Sequence, residues 1–220
     1  MIKAVIFDMD GVLIDSENFW QQTERELFGE LGVGLTDELL LQTRGLRTEE
    51  MVRHWTGLFG INSVSREELM NRYDSRMVET MRTRVPLMEG AEEAIQFFKE
   101  KKLSVALATC STQEIIDAAM EKHGLLKHFN LVVSAANQMP GKPHPEIYLR
   151  TAEGLGVDPV FCLAVEDSFF GVISARAARM KVLAMPDPKE YGQARFAAAD
   201  MKISSLTEIN DNLYNELQKL

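Results

Sequence analysis

The chain has 220 residues, 45% of them apolar and 26% charged, the make-up of an ordinary globular protein long enough to bury a large core, either as one domain or as a domain carrying an insertion. A formal net charge of −9 disfavours nucleic acid and anionic membrane as partners, and it obliges any anionic substrate to find a local positive site. No apolar run reaches the length of a membrane span, and Met1-Ile2-Lys3 leads into a strand rather than a secretory signal. Cys110 and Cys162 stand far apart in apolar contexts, so a cytoplasmic protein with buried free thiols is expected.

Taken in chain order, the first signal is an apolar run over 4–7 that reads as a buried strand and stops at Asp8-Met9-Asp10-Gly11. Side chains two apart in extended chain share a face, so Asp8 and Asp10 point the same way while Met9 points into packing. Two acids so placed repel, and a shared proton or a hard divalent cation with oxygen ligands would relieve them. Asp-x-Asp-Gly is also ordinary turn chemistry. A calcium loop is excluded, because Val12 and Ile14 stand where that loop needs oxygen ligands.

From Ser16 the pattern turns helical. Ser16-Glu17 is a start signal, and Phe19, Trp20, Leu27, Phe28 and Leu31 recur at helical spacing until Gly32-Val33-Gly34. Thr36 can cap a short helix through Leu41, Thr48 a second, and Ser65 a third that runs to about Val85. The segment 16–86 is therefore expected to be all helical.

Pro86 to Gly90 breaks that pattern, and helices then alternate with short apolar strands. Helices are expected over 91–101, 112–123, 145–155 and 171–178, and strands over 103–108, 131–134, 160–165 and 182–185. Such alternation predicts an α/β fold, a Rossmann-like parallel sheet covered on both faces. The first strand joins this sheet, so residues 1–15 and 87–220 form a core, and 16–86 is an inserted helical cap over the carboxyl ends of the strands, where open α/β sheets bind ligands.

The remaining polar signals fall at those strand ends. Thr109-Cys110-Ser111 offers hydroxyls and backbone N–H groups at a helix start, which suits a phosphate oxygen and equally suits a simple N-cap. Lys142 sits in the proline-stiffened turn Gly141-Lys142-Pro143-His144-Pro145. Glu166-Asp167-Ser168 is a second acidic strand end. Together these groups make a metal and phosphate site more readily than a set of caps.

Asp8-Met9-Asp10-Gly11, Thr109, Lys142 and Glu166-Asp167, in this order and on these elements, resemble the haloacid dehalogenase superfamily of phosphoryl-transfer hydrolases over nearly the whole chain. The stretch from Phe7 to Glu17 is similar to the branch of β-phosphoglucomutases and sugar-phosphate phosphatases. Leu107 to Ser111, Gly141 to Pro145 and Glu166 to Ser168 look most like 2-deoxyglucose-6-phosphate and hexitol-phosphate phosphatases.

The resemblance implies Asp8 as nucleophile, Asp10 as general acid and then base, and Mg²⁺ held by Asp8, Asp167 and the backbone carbonyl of Asp10, with Glu166 behind the ligands. It implies phosphoryl oxygens bound by Thr109, the N–H of Cys110 and Lys142. Asp15 fits the hinge into the cap. Trp20 and Arg47 are the expected cap contacts to substrate, Trp20 through its flat apolar face, whereas His54 and Trp55 are expected in packing or at the surface. In the phosphoglucomutases a histidine holds the position of Trp20, and their arginine is displaced by one place relative to Arg44-Gly-Leu-Arg47. The expectation is a Mg²⁺-dependent phosphatase, monomeric, acting on a small phosphorylated sugar or polyol. A phosphomutase and a catalytically idle binding protein are the alternatives.

Overall fold

The computed structural model describes residues 1–136 and 139–220. Its centre is a six-stranded, wholly parallel sheet in the order β3-β2-β1-β4-β5-β6, made of β1 (Ala4–Phe7), β2 (Ser104–Thr109), β3 (Leu131–Ser134), β4 (Cys162–Glu166), β5 (Lys181–Ala184) and β6 (Met201–Lys202). β1 lies between β2 and β4, with Ala4 beside Ser104 on one side and Cys162 on the other. Its four residues are buried on both faces, as expected of a central parallel strand.

Side-chain parity divides the core. Val5, Phe7, Val105, Leu107, Leu163 and Val165 point to one face, where they meet α5 (Ala91–Glu100), α6 (Gln113–His123) and α9 (Asp211–Lys219) through residues such as Ile95, Phe98, Ile115 and Leu217. Ala4, Ile6, Ala106, Ala108 and Ala164 point to the other, where the small alanine side chains let α7 (Glu146–Leu155) and α8 (Phe169–Ala177) approach closely. The α/β architecture expected from the alternation of helix and strand is the one observed.

Between β1 and α5 the chain forms only helices: α1 (Glu17–Gly29), α2 (Asp37–Leu40), α3 (Thr48–Phe59) and α4 (Arg66–Thr83). α4 packs on α1, α3 and the core helix α6. The two passages between helical segment and sheet run side by side: Asp15 N–H donates to the Pro86 carbonyl at 3.0 Å, and Met88 N–H to that of Leu13 at 3.0 Å.

Several helix ends depart from expectation for visible reasons. Thr36 and Ser65 do cap, accepting from the N–H groups of Leu39 and Glu68. Thr48 lies inside α3, with its hydroxyl on Asp74, and the helix start is closed instead by Glu50 accepting from the Arg47 N–H. The hydroxyl of Ser16 caps nothing, because it is drawn to Asp10. β4 begins two residues later than expected, since Pro159–Phe161 is a 3-10 turn closed by the Asp158 side chain. β6 and α9 were not anticipated from the sequence.

Candidate active site

The carboxyl ends of β1, β2 and β4 deliver their polar residues to one cavity of about 90 Å³, roofed by α1 and the segment linking α2 to α3. β1 ends at Phe7, and the Asp8 N–H still bonds the Val165 carbonyl at 3.0 Å, so Asp8 leaves the sheet in register. A tight turn follows, in which the N–H groups of Leu13 and Ile14 reach back to the Met9 carbonyl while Met9 itself is buried in the core. Gly11 makes that turn possible. Its φ is +73°, and a Cβ there would lie 2.4 Å from the Asp167 carboxylate.

Lys142 is 3% exposed and places its Nζ 2.8 Å from Asp8 Oδ1 and 2.6 Å from Glu166 Oε1. Glu166 is fully buried and fully engaged. Its Oε1 also accepts from the Tyr148 hydroxyl at 2.6 Å, and its Oε2 takes the N–H and hydroxyl of Ser168. Gly171 leaves room for it, since a Cβ there would overlap the carboxyl group. Glu166 thus positions the lysine, and the lysine faces Asp8.

Asp10 is surrounded by donors. Oδ1 accepts from Trp20 Nε1 at 2.6 Å and from the Ser16 hydroxyl at 2.7 Å; Oδ2 accepts from the Ser111 hydroxyl at 2.8 Å and from that of Thr109 at 3.4 Å. Indole nitrogen can only donate, whereas a hydroxyl can turn and accept. Oδ2 is therefore the oxygen of Asp10 better placed to carry a proton.

Over residues 5–185 the sequence matches the family model described as haloacid dehalogenase-like hydrolase. The chain belongs to that family. It is 39% identical over 209 residues to hexitol phosphatase B of Escherichia coli (strain K12), covering 94% of each chain. It is 32% identical over 177 residues to the phosphorylated carbohydrates phosphatase of Thermotoga maritima, covering 80% of this chain and 82% of that one. The fold superposes on β-phosphoglucomutase from Clostridium difficile with a TM-score of 0.87 over 100% of this chain and 98% of that one, at 20% identity, a likeness of fold alone. The protein is accordingly a phosphatase of the haloacid dehalogenase-like hydrolases.

Within this hydrolase the acidic groups stand close enough to hold a cation: one carboxylate oxygen from each of Asp8, Glu166 and Asp167 lies within 4.8 Å of the others. Burial raises the Asp8 carboxyl well above the usual range, Lys142 pulls it back, and Glu166, Asp167 and Asp10 push it up again. Burial likewise lifts Asp167 to about 7, with Arg44 opposing and Glu166 and Glu17 adding to the rise. For Lys142, burial alone would favour the neutral amine, but Asp8 and Glu166 reverse this and hold it well above its ordinary value, charged.

The structure separates two arginines that look alike in sequence. Arg44 lines the cavity and is almost buried, its guanidinium 2.8 Å from Asp167, 2.5 Å from Glu190 and 3.5 Å from Glu17. Arg47, the arginine expected at the substrate, is instead paired with Glu50 at 3.0 Å and donates to the Met139 carbonyl at 2.9 Å, outside the cavity lining. Trp20 has a further role that the sequence does not announce. It lines the cavity, but its N–H is committed to Asp10 and its ring packs against Tyr73 with centroids 5.5 Å apart.

Trp55 and His54 lie edge to face, Trp55 fully buried within the helical segment between β1 and α5. Thr109 and Cys110 line the cavity, and both cysteines are free thiols, Cys162 buried and Cys110 partly exposed. Tyr148 was not singled out from the sequence, and Ser16 and Ser111 were read there as a helix start and a capping or phosphate-binding hydroxyl rather than as partners of Asp10. Ser111 stands next to the strand-end hydroxyl already noted, but nothing in its local pattern ties it to Asp10.

Proposed function

We propose that this hydrolase is a Mg²⁺-dependent phosphatase of small sugar or polyol phosphates that works through an aspartyl-phosphate. The observation that carries the reading is the division of labour between two acids two residues apart: Asp8 faces a buried lysine, while Asp10 is held by three hydroxyls and an indole N–H. Asp8 Oδ2 accepts no hydrogen bond among the described residues and is the oxygen free to attack phosphorus. Lys142 offsets the negative charge that keeps a carboxylate from a phosphate dianion. Asp10 gives its proton to the departing sugar oxygen and afterwards takes one from the water that cleaves the aspartyl-phosphate. The hydroxyl of Thr109 and the backbone N–H of Cys110 would receive the phosphoryl oxygens.

Two of the three clustered carboxylates fit a cation. Asp8 and Asp167 are crowded, buried and raised, whereas both Glu166 oxygens are already taken by Lys142, Tyr148 and Ser168. Asp8, Asp167 and the Asp10 carbonyl would hold Mg²⁺, which supplies positive charge against the phosphate. The helices from Glu17 to Thr83 would act as a cap that excludes bulk water during transfer, and similarity to relatives named for hexitol and phosphorylated carbohydrate substrates supports a sugar or polyol as leaving group. Trp20 bound to Asp10 favours hydrolysis over the mutase alternative, because its side chain has no titratable proton near neutral pH with which to serve a returning sugar.

The test is phosphate release from a panel of hexitol, hexose and pentose phosphates with Mg²⁺. Turnover should be abolished by EDTA, restored by added metal, and lost in Asp8→Asn with thermal melting preserved. Near wild-type turnover in pure Asp8→Asn protein would remove Asp8 from the chemistry. Isomerisation of β-glucose 1-phosphate outrunning phosphate release would promote the mutase instead.

A further inference from the structure

We infer that Glu24 selects the substrate, its free carboxylate oxygen accepting hydrogen bonds from hydroxyl groups on the carbon chain that carries the phosphate. The inference rests on the reading of the site as a sugar or polyol phosphatase and names the residue that would recognise the hydroxylated part. Glu24 lies on α1 and lines the same cavity as Asp8 and Asp10, yet among the described residues it has no cationic partner. It is 6% exposed.

Its Oε1 is doubly anchored, accepting from Trp55 Nε1 and from the Thr43 hydroxyl at 2.8 Å. Its Oε2 accepts no hydrogen bond from the described residues and is not among their fully enclosed polar atoms, while the residue itself lines the cavity. The single proton of the Thr43 hydroxyl is shared between Glu24 Oε1 at 2.8 Å and the Leu40 carbonyl at 3.2 Å, the shorter contact being the one to Glu24.

An unpartnered carboxylate oxygen on a buried, cavity-lining residue is an arrangement that folding alone does not reward. Leu40, Leu46 and Met51 line the same cavity and carry no side-chain donor that could serve Oε2. A polyol satisfies it with one hydroxyl or two neighbouring ones, whereas a simple aryl or alkyl phosphate displaces water and leaves the oxygen unpaired. That is the situation in which a buried polar group discriminates strongly. Burial lifts the Glu24 carboxyl to about 7 against the opposing hydrogen bonds from Trp55 and Thr43, with Glu17 adding to the rise, and a hydroxyl donated to Oε2 would favour the ionised form.

The experiment compares kcat/KM for sorbitol 6-phosphate and for p-nitrophenyl phosphate in the wild type and in Glu24→Gln, which keeps the shape and presents an amide in place of the carboxylate. The loss on sorbitol 6-phosphate should exceed the loss on p-nitrophenyl phosphate by about tenfold to a hundredfold, appearing chiefly in KM. Trp55→Phe, which keeps the ring and removes the anchoring N–H, should shift the ratio in the same direction. Equal losses on both substrates in both variants would make Glu24 a packing residue and overturn the inference while leaving the phosphatase reading intact. A wild type that cleaves p-nitrophenyl phosphate but no sugar or polyol phosphate would remove the substrate reading and this inference with it.

Discussion

Burial that aims Glu24 into the cavity also opposes its ionisation, and the effect has a sign. Between the ordinary value of 4.5 and about 7 the folded protein holds this proton while the unfolded chain has released it. The contribution to stability is therefore full below 4.5, falls across that window and is lost above about 7. The gap corresponds to something on the order of 3 kcal/mol. Glu24→Gln, which cannot ionise, should be more stable than the wild type at pH 8 by up to that order, and the difference should shrink toward zero as pH approaches 4.5, measured by urea unfolding across the range. A difference independent of pH would show that ionisation of Glu24 is not what separates the two proteins. Asp8 and Asp167 are raised in the same direction, both by burial and by the Glu166 charge, which places several reluctant carboxylates in one small volume.

α1 is the element on which those side chains meet. Glu17, Trp20, Gln21 and Glu24 follow the i, i+3, i+4, i+7 spacing and line the cavity, while Leu27 and Phe28 turn into the apolar core. Sequence periodicity finds the apolar stripe of this helix and assigns Trp20 to it, because an aromatic residue gives no sign of which neighbour its N–H will reach. In Trp20→Phe the ring survives and the donor to Asp10 is lost. Loss of one hydrogen bond to a charged group predicts a fall in kcat of about tenfold to a hundredfold. The KM for p-nitrophenyl phosphate should move far less; a change confined to KM would return Trp20 to substrate packing.

What was readable beforehand follows the same logic. Asp8, Asp10, Lys142 and Glu166-Asp167 sit at strand ends and a stiff turn, where local pattern alone fixes their position. Ser111, Tyr148, Glu24 and Arg44 acquire meaning only when distant elements pack, and the two-residue β6 with the amphipathic α9 beyond it lies past the last strong strand signal.

Across the molecule, Arg44 is the main charged contact between helical segment and sheet, reaching Asp167 at the end of β4 and Glu190 beyond β5. Arg47 adds a hydrogen bond to the Met139 carbonyl, and Trp20 another to Asp10. In this arrangement the cavity is closed over. Arg44→Gln leaves Asp167 buried without its cation and Glu190 with Arg195 alone, which destabilises closure. Hydrogen exchange should rise in residues 43–47 and 187–193 and stay unchanged in the strands. Unaltered exchange there would place closure on the other contacts.

The position of β1 has a consequence of a different kind. This strand is synthesised ahead of both its neighbours, yet its Ala4 pairs only with Ser104 and Cys162, so all four helices of the insertion leave the ribosome before the middle of the sheet can assemble. A fully buried central strand of the protein is thus made early and paired late. Folding of this chain must wait for long-range closure, and in that interval Ala-Val-Ile-Phe is an exposed apolar segment that a chaperone would recognise.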